Sequence, residues 1–393
     1  MFEHKLIVTS LITMVLFLPL APINACQDHS LGMDDYSDGH SMEIMPNTTD
    51  PLIDEELDPH YIYHDQNLPQ RNILWLHLSG AGVSPMAYTE FVSAVGRQGY
   101  HSIGLSWPNQ FSLNLNCFNY DDPGCFDSIR LEAFDGVNRT HLVWIDENPA
   151  NSLLNRLVKL LNYLTEMNAS SGWGQYLDDS RKIPQWHKIA VSGHSLGAGQ
   201  AGLMAQQFSL ARAVFFAGPH DWNAYYDWNF ARWVVSSFAT ALDRMYGFIH
   251  TQDNFYTISN KTPRNWGQIG LLGEEILVEN SLPPFNLSHR LVTNLADVSP
   301  HLGVVTDGFL PSNETDYAVL MDVWNYLVTN VTTALPGSYY SSVPSIPDTT
   351  SSHISSTSPI PVDEDLSSSE VTLAPLPIFS SLVFICYRRL TRR

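Results

Sequence analysis

Residues 188–208 constrain the fold of this chain more than any other stretch. A short apolar run, Lys188–Ser192 (KIAVS), enters Gly193-His194-Ser195-Leu196-Gly197, and a run of small residues, AGQAGLMAQQF, leaves it. The spacing predicts a buried strand, a turn of one or two residues and a helix. Only a βα unit in a layered α/β architecture joins these elements so tightly. The flanking glycines let neighbouring backbone approach closely, and the turn sets a serine hydroxyl at the start of a helix.

The surrounding sequence repeats the alternation. Strands are predicted over 72–78 (NILWLHL), 101–106 (HSIGLS), 213–217 (AVFFA), 246–250 (YGFIH) and 290–293 (RLVT). The first is a continuous apolar run, as expected for a strand buried on both faces. Helical periodicity appears over 85–97, 152–167 and 315–328, with Ser152 placed as an N-cap for the leucine-rich second helix. Residues 107–150 read as a loop-rich insertion. The expectation is an α/β fold, a mostly parallel central sheet flanked by helices, over residues 67–332, with disordered N- and C-terminal tails.

Charge separates this middle from the ends. The chain carries 40 acidic and 20 basic side chains, a formal net charge of −20. Residues 26–66 contribute eleven acids and no Lys or Arg; residues 331–370 contribute five acids and no base. The last six residues hold four arginines. The acidic excess argues against nucleic acid as a partner.

Both termini resemble targeting segments. Residues 1–25 read as a signal peptide, with an apolar core over 6–20 and a small residue before Cys26. Residues 26–66 read as an acidic, largely disordered leader, with Tyr61-Ile62-Tyr63 the exception. Residues 333–370, rich in Ser, Thr and Pro, read as a stalk. Residues 371–387 are uncharged and read as a single-span membrane anchor, and 388–393 as a basic cytosolic tail, leaving the N-terminus outside. A secreted or cell-surface location fits the N-x-Ser/Thr sites at Asn47, Asn138, Asn168, Asn260, Asn286, Asn313 and Asn330. It also fits a local disulfide between Cys117 and Cys125, which bracket the turn-forming Asp121-Asp122-Pro123-Gly124. No cofactor or metal is called for, because close-spaced ligand sets are lacking.

On Gly193-His194-Ser195-Leu196-Gly197, and on Leu76-His77-Leu78-Ser79-Gly80-Ala81-Gly82 after an earlier strand, residues 70–330 resemble the α/β-hydrolase superfamily. The resemblance implies a Ser–acid–His order and acyl transfer from a small-molecule or lipid ester. On that resemblance Ser195 is the expected nucleophile. His301 is the best-placed base, since it follows the last strand by a short loop; His220, His250 and His289 are less suitably placed. Asp253, after 246–250, is the expected acid, with Asp221 and Asp297 as rivals. The resemblance further implies an oxyanion hole built from the N–H of Leu196 and one from the Ser79–Ala81 turn, Gly80 or Ala81 being preferred. His77 reads as structural. Aromatic residues after two strands (Trp107, Phe111 and Phe118; Trp222, Tyr225, Tyr226, Trp228, Phe230 and Trp233) read as an acyl pocket, as a surface for sugar faces or as a packed cap or core. A non-catalytic ectodomain and a serine peptidase on the same fold are the competing functions.

Overall fold

The structure is a computed structural model. It describes residues 40–110, 117, 122, 124–139, 148–222, 230–257, 260–329 and 331–334. The expected signal peptide, membrane segment, basic tail, Asn330 and all of the stalk beyond residue 334 lie outside the described residues, as do residues 26–39 of the leader.

Among the described residues nine strands form one mixed sheet: β1 (Ser41–Ile44), β2 (His60–Tyr63), β3 (Leu74–Leu78), β4 (His101–Leu105), β5 (Ile189–His194), β6 (Arg212–Phe216), β7 (Met245–His250), β8 (Glu275–Leu277) and β9 (Arg290–Thr293). Their order is β1-β2-β4-β3-β5-β6-β7-β9-β8. β1 pairs antiparallel with β2, and β2 with β4; every other pairing is parallel. Strands β3 to β7 are buried at every position, which is why they do not show the apolar–polar alternation of a strand with one wet face.

The α-helices longer than one turn among the described residues are α1 (Thr89–Gly96), α2 (Cys125–Asp135), α3 (Leu153–Met167), α4 (Leu196–Gln207), α5 (Lys261–Ile269) and α6 (Glu314–Val328). Helix α1 packs on β2 and β4; α4 packs on β3, β5 and β6. In α3, Leu153, Leu157, Leu160, Leu161 and Leu164 are all buried, and the Ser152 hydroxyl accepts the Asn155 N–H at 3.2 Å, so the predicted cap and face are both present.

Two expectations are corrected. Residues 40–66 are not a disordered leader. They supply β1 and β2 and are fixed by long-range bonds that short-range pattern cannot reveal. The Arg156 guanidinium donates to the carbonyls of Glu55 (2.7 Å) and Glu56 (2.9 Å), and the Asp54 N–H donates to Asn151 Oδ1 (3.1 Å). The folded unit also continues past residue 332: the Ala334 N–H donates to the His187 carbonyl at 2.8 Å. Within 107–150, the loop-rich insertion contains α2, whose first residue, Cys125, is disulfide-bonded to Cys117 with Cα atoms 5.6 Å apart.

Candidate active site

Ser195 is the single residue between β5 and α4, at φ 54°, ψ −110°. Positive φ is unfavourable for a residue with a Cβ, and here the packing around the turn enforces it. A Cβ on Gly193 would lie 2.1 Å from the Gly197 carbonyl oxygen, and one on Gly197 would lie 2.1 Å from the Leu78 carbonyl oxygen. Both glycines are therefore required by close backbone approach. The Ser195 N–H donates to the Phe216 carbonyl at 2.9 Å, holding the turn against the end of β6.

Three expected residues from three separate strand ends meet at this turn. The Ser195 hydroxyl donates to His301 Nε2 at 2.9 Å. His301 Nδ1–H donates to Asp253 Oδ2 at 2.6 Å. The other oxygen, Asp253 Oδ1, accepts the Phe255 N–H at 2.8 Å. The Asp253 side chain is 1% exposed and that of His301 is 32% exposed, so the carboxylate is sealed while the imidazole faces outward. The proton roles follow from the chemistry: a carboxylate only accepts, which places a proton on Nδ1 and leaves Nε2 free to take the serine proton.

The rival residues are engaged elsewhere. Asp221 forms a bidentate pair with Arg130 (Nε to Oδ2, 2.6 Å; Nη2 to Oδ1, 2.7 Å) and accepts Trp233 Nε1–H at 2.8 Å. Asp297 is exposed. His250 Nε2–H donates to the Leu295 carbonyl (2.8 Å), and its Nδ1 accepts the Gln252 N–H (3.0 Å). His289 Nδ1–H donates to the Met245 carbonyl (2.8 Å) while its ring stacks on Tyr246. His220 stacks on Phe255 at 3.8 Å, and burial pushes its pKa down to about 3. His77 is buried, hydrogen-bonded through Nδ1 to Ser192 Oγ at 2.9 Å, and held neutral by desolvation, the structural part expected of it.

A serine after a central strand, a carboxylate after β7 and a histidine after β9, hydrogen-bonded in line on a mostly parallel sheet entered by an antiparallel pair, decide the architecture. This is the α/β-hydrolase fold.

No family model and no curated protein sequence matches the chain. Among solved structures it is similar to a Klebsiella pneumoniae protein assigned as a dienelactone hydrolase, at 13% identity, covering 74% of this chain and 98% of that one, with a TM-score of 0.38. It is also similar to a thermophilic esterase, esterase 2 of Thermogutta terrifontis. The native form matches at 11% identity, 76% and 94% coverage and a TM-score of 0.40. The form phosphoramylated by tabun matches at 11% identity, 76% and 97% coverage and 0.41. The fold assignment rests on the strand order and the elbow of this chain itself.

The oxyanion expectation is corrected in part. The Gly80 N–H donates to the Tyr88 hydroxyl oxygen at 3.0 Å and points away from a role as oxyanion donor. The neighbouring turn is braced by Asn109, whose Nδ2 donates within 3.0 Å of Ser79 Oγ and of the Gly80 and Val83 carbonyls, and whose carbonyl accepts the Gly82 N–H. Sequence reasoning missed Tyr88, Asn109 and Arg130, because each acts across a long separation with no local signature. The Arg130 Nη1 donates to the Leu196 carbonyl at 3.0 Å, tying α2 to the first residue of α4.

Of the aromatic residues weighed as an acyl pocket, Trp107 and Trp233 are buried core, and Trp222 packs edge-on against Phe230 at 5.3 Å. Phe111, Phe118, Tyr225, Tyr226 and Trp228 lie outside the described residues. Phe255, 5.6 Å from the His301 ring, is the described aromatic side chain that flanks the site. Among the described residues no group of three or more His, Cys, Asp or Glu could hold a metal ion, and no helix is long and apolar enough to cross a membrane.

Proposed function

We propose that this chain is a serine hydrolase that cleaves carboxylic esters, of small molecules or lipids, through an acyl-enzyme. The hydrogen-bonded line Ser195–His301–Asp253 carries the reading. His301 takes the Ser195 proton through Nε2 as Oγ attacks the ester carbonyl, and the resulting imidazolium is stabilised by Asp253. The N–H groups of Leu196 and Ala81 form the oxyanion hole, each donor being worth about 3 kcal/mol in the transition state. His301 then protonates the departing alcohol, and the same nitrogen deprotonates the water that releases the acid.

Secretion or cell-surface display completes the proposal. The described sequon asparagines, Asn47, Asn138, Asn168, Asn260, Asn286 and Asn313, are all exposed, and the Cys117–Cys125 disulfide suits an oxidising compartment.

The deciding experiment is labelling of the purified protein with a fluorophosphonate probe, with Ser195→Ala in parallel. Labelling of the wild type and none of the variant is expected. Equal labelling of both would remove Ser195 as nucleophile, and an unlabelled wild type would favour a binding role for the fold. A matched screen of aryl esters and peptide amides tests the ester preference.

A further inference from the structure

The residue immediately before the nucleophile does something that the triad does not require of it. His194 is 1% exposed and its ring is bonded at both nitrogens. Nε2 lies 2.8 Å from the backbone carbonyl of His301, and Nδ1 lies 3.0 Å from the Tyr88 hydroxyl. That hydroxyl in turn lies 3.0 Å from the Gly80 nitrogen.

Every direction in this chain of bonds is forced. A carbonyl only accepts, so Nε2 bears the proton. Burial, with the His301 ring alongside, pushes the His194 pKa down to about 3, so the ring stays neutral and Nδ1 is an acceptor. Tyr88 must therefore donate its proton to Nδ1, which leaves its oxygen to accept the Gly80 N–H.

We propose that Tyr88 and His194 are positioning residues that tie the oxyanion loop and the His301 loop to the nucleophile elbow through one directed line of hydrogen bonds. The proposal rests on the serine-hydrolase reading. Its physical basis is separation in the chain. The Ser79–Ala81 turn follows β3 and His301 follows β9, strands that β5, β6 and β7 keep apart in the sheet. Both loops must hold a fixed distance to Ser195 Oγ, to within roughly 0.5 Å, for productive geometry. His194 adjoins Ser195 in the backbone, so bonds from its ring reference both loops to the nucleophile itself. A one-residue turn allows no slack between them.

Geometry also supplies the test. In Gln the amide group reaches the Nε2 position of histidine and keeps the bond to the His301 carbonyl. In Asn it reaches only the Nδ1 position and keeps the bond to Tyr88. Turnover of p-nitrophenyl acetate, the rate of fluorophosphonate labelling and the melting temperature would be measured for the wild type, Tyr88→Phe, His194→Gln and His194→Asn. His194→Gln should hold kcat within about 5-fold, Tyr88→Phe should lose about 10-fold and His194→Asn about 100-fold, the scale expected for a 1 Å misplacement. KM should stay unchanged, labelling should fall in step with kcat, and Gln and Asn should melt alike. Equal activity of the Gln and Asn variants would overturn the proposal, as would losses of kcat that rank with melting temperature, since a role confined to satisfying buried polar atoms predicts both. Labelling that survives Ser195→Ala, or is absent from the wild type, overturns the hydrolase reading instead, and is recognised before any of these variants is compared.

Discussion

Two buried carboxylates stand at the ends of adjacent strands, Asp221 after β6 and Asp253 after β7, and each is 1% exposed. Position and burial do not tell them apart; their partners do. Asp221 faces a guanidinium from α2 and an indole N–H, so both its oxygens are occupied by fixed donors. Asp253 accepts one backbone N–H and keeps its second oxygen for an imidazole that is one-third exposed. The first arrangement locks two elements together. The second leaves a histidine able to gain and lose a proton beside a serine. A strand end in this fold offers a carboxylate site, and whichever cation or imidazole packs there decides the use made of it.

The largest test of this contrast is Asp253→Asn. An amide would present N–H to His301 and favour the wrong tautomer, so kcat should fall about 10⁴-fold with the melting temperature nearly unchanged. Steady-state kinetics with thermal melts check it. Asp221→Asn should behave in the opposite way. It leaves Arg130 buried and unpaired, a loss of about 3–5 kcal/mol in stability, or roughly 10 °C in melting temperature for a domain of this size, while the folded protein keeps most of its turnover. If Asp221→Asn abolishes turnover and Asp253→Asn does not, the two roles are reversed.

A pH series probes the buried groups around both. Burial lowers the pKa of His60, His101, His194 and His220 from 6.5 to about 3. The unfolded chain binds these protons below about pH 6.5 and the native state does not, so stability falls as pH drops through that window. Asp127 and Asp307, raised by burial to about 6 and about 7, act in the opposite sense between about pH 4 and their native values. With His77 also held neutral by burial, the histidines outnumber the two carboxyls, so unfolding takes up protons and stability has a positive slope against pH below about pH 6.5. Urea midpoints at pH 7, 6 and 5 measure that slope. The smallest effect belongs to the Cys117→Ser/Cys125→Ser pair: closing a loop this short contributes about 2–3 kcal/mol. Because the disulfide ends where α2 begins, that loss should appear in the melt and leave kcat alone.

What could be read from the chain and what could not divide along contact range. Ser195 was legible because strand, turn and helix are contiguous, and His301 and Asp253 because the order of strand ends is fixed by the fold the chain resembles. Asp253 was preferred to Asp221 on strand order alone; the partner that engages Asp221 was not legible, since Arg130 lies 91 residues from it in sequence and within an apparent loop. Gly80 was misjudged for the same reason: its donor is engaged by Tyr88, whose hydroxyl is set in turn by a ring 106 residues away. Strand β1 has only one buried position of four and does not rise above the acidic background; β2 showed only as Tyr61-Ile62-Tyr63, too short to be read as a sheet strand.

The pairing of β2 with β4 has a consequence for where the protein can be cut. A chain begun at residue 67 would keep all three residues of the Ser195–His301–Asp253 line. It would also lay bare the hydrogen-bonding edge of β4, one of the strands buried at every position. It would strip the Arg156 guanidinium of the Glu55 and Glu56 carbonyls that receive it. An apolar strand with an open ladder recruits other strands, from its own kind first. The acidic N-terminal segment thus serves as the molecule's selvage, the finished border that keeps one sheet from knitting onto the next.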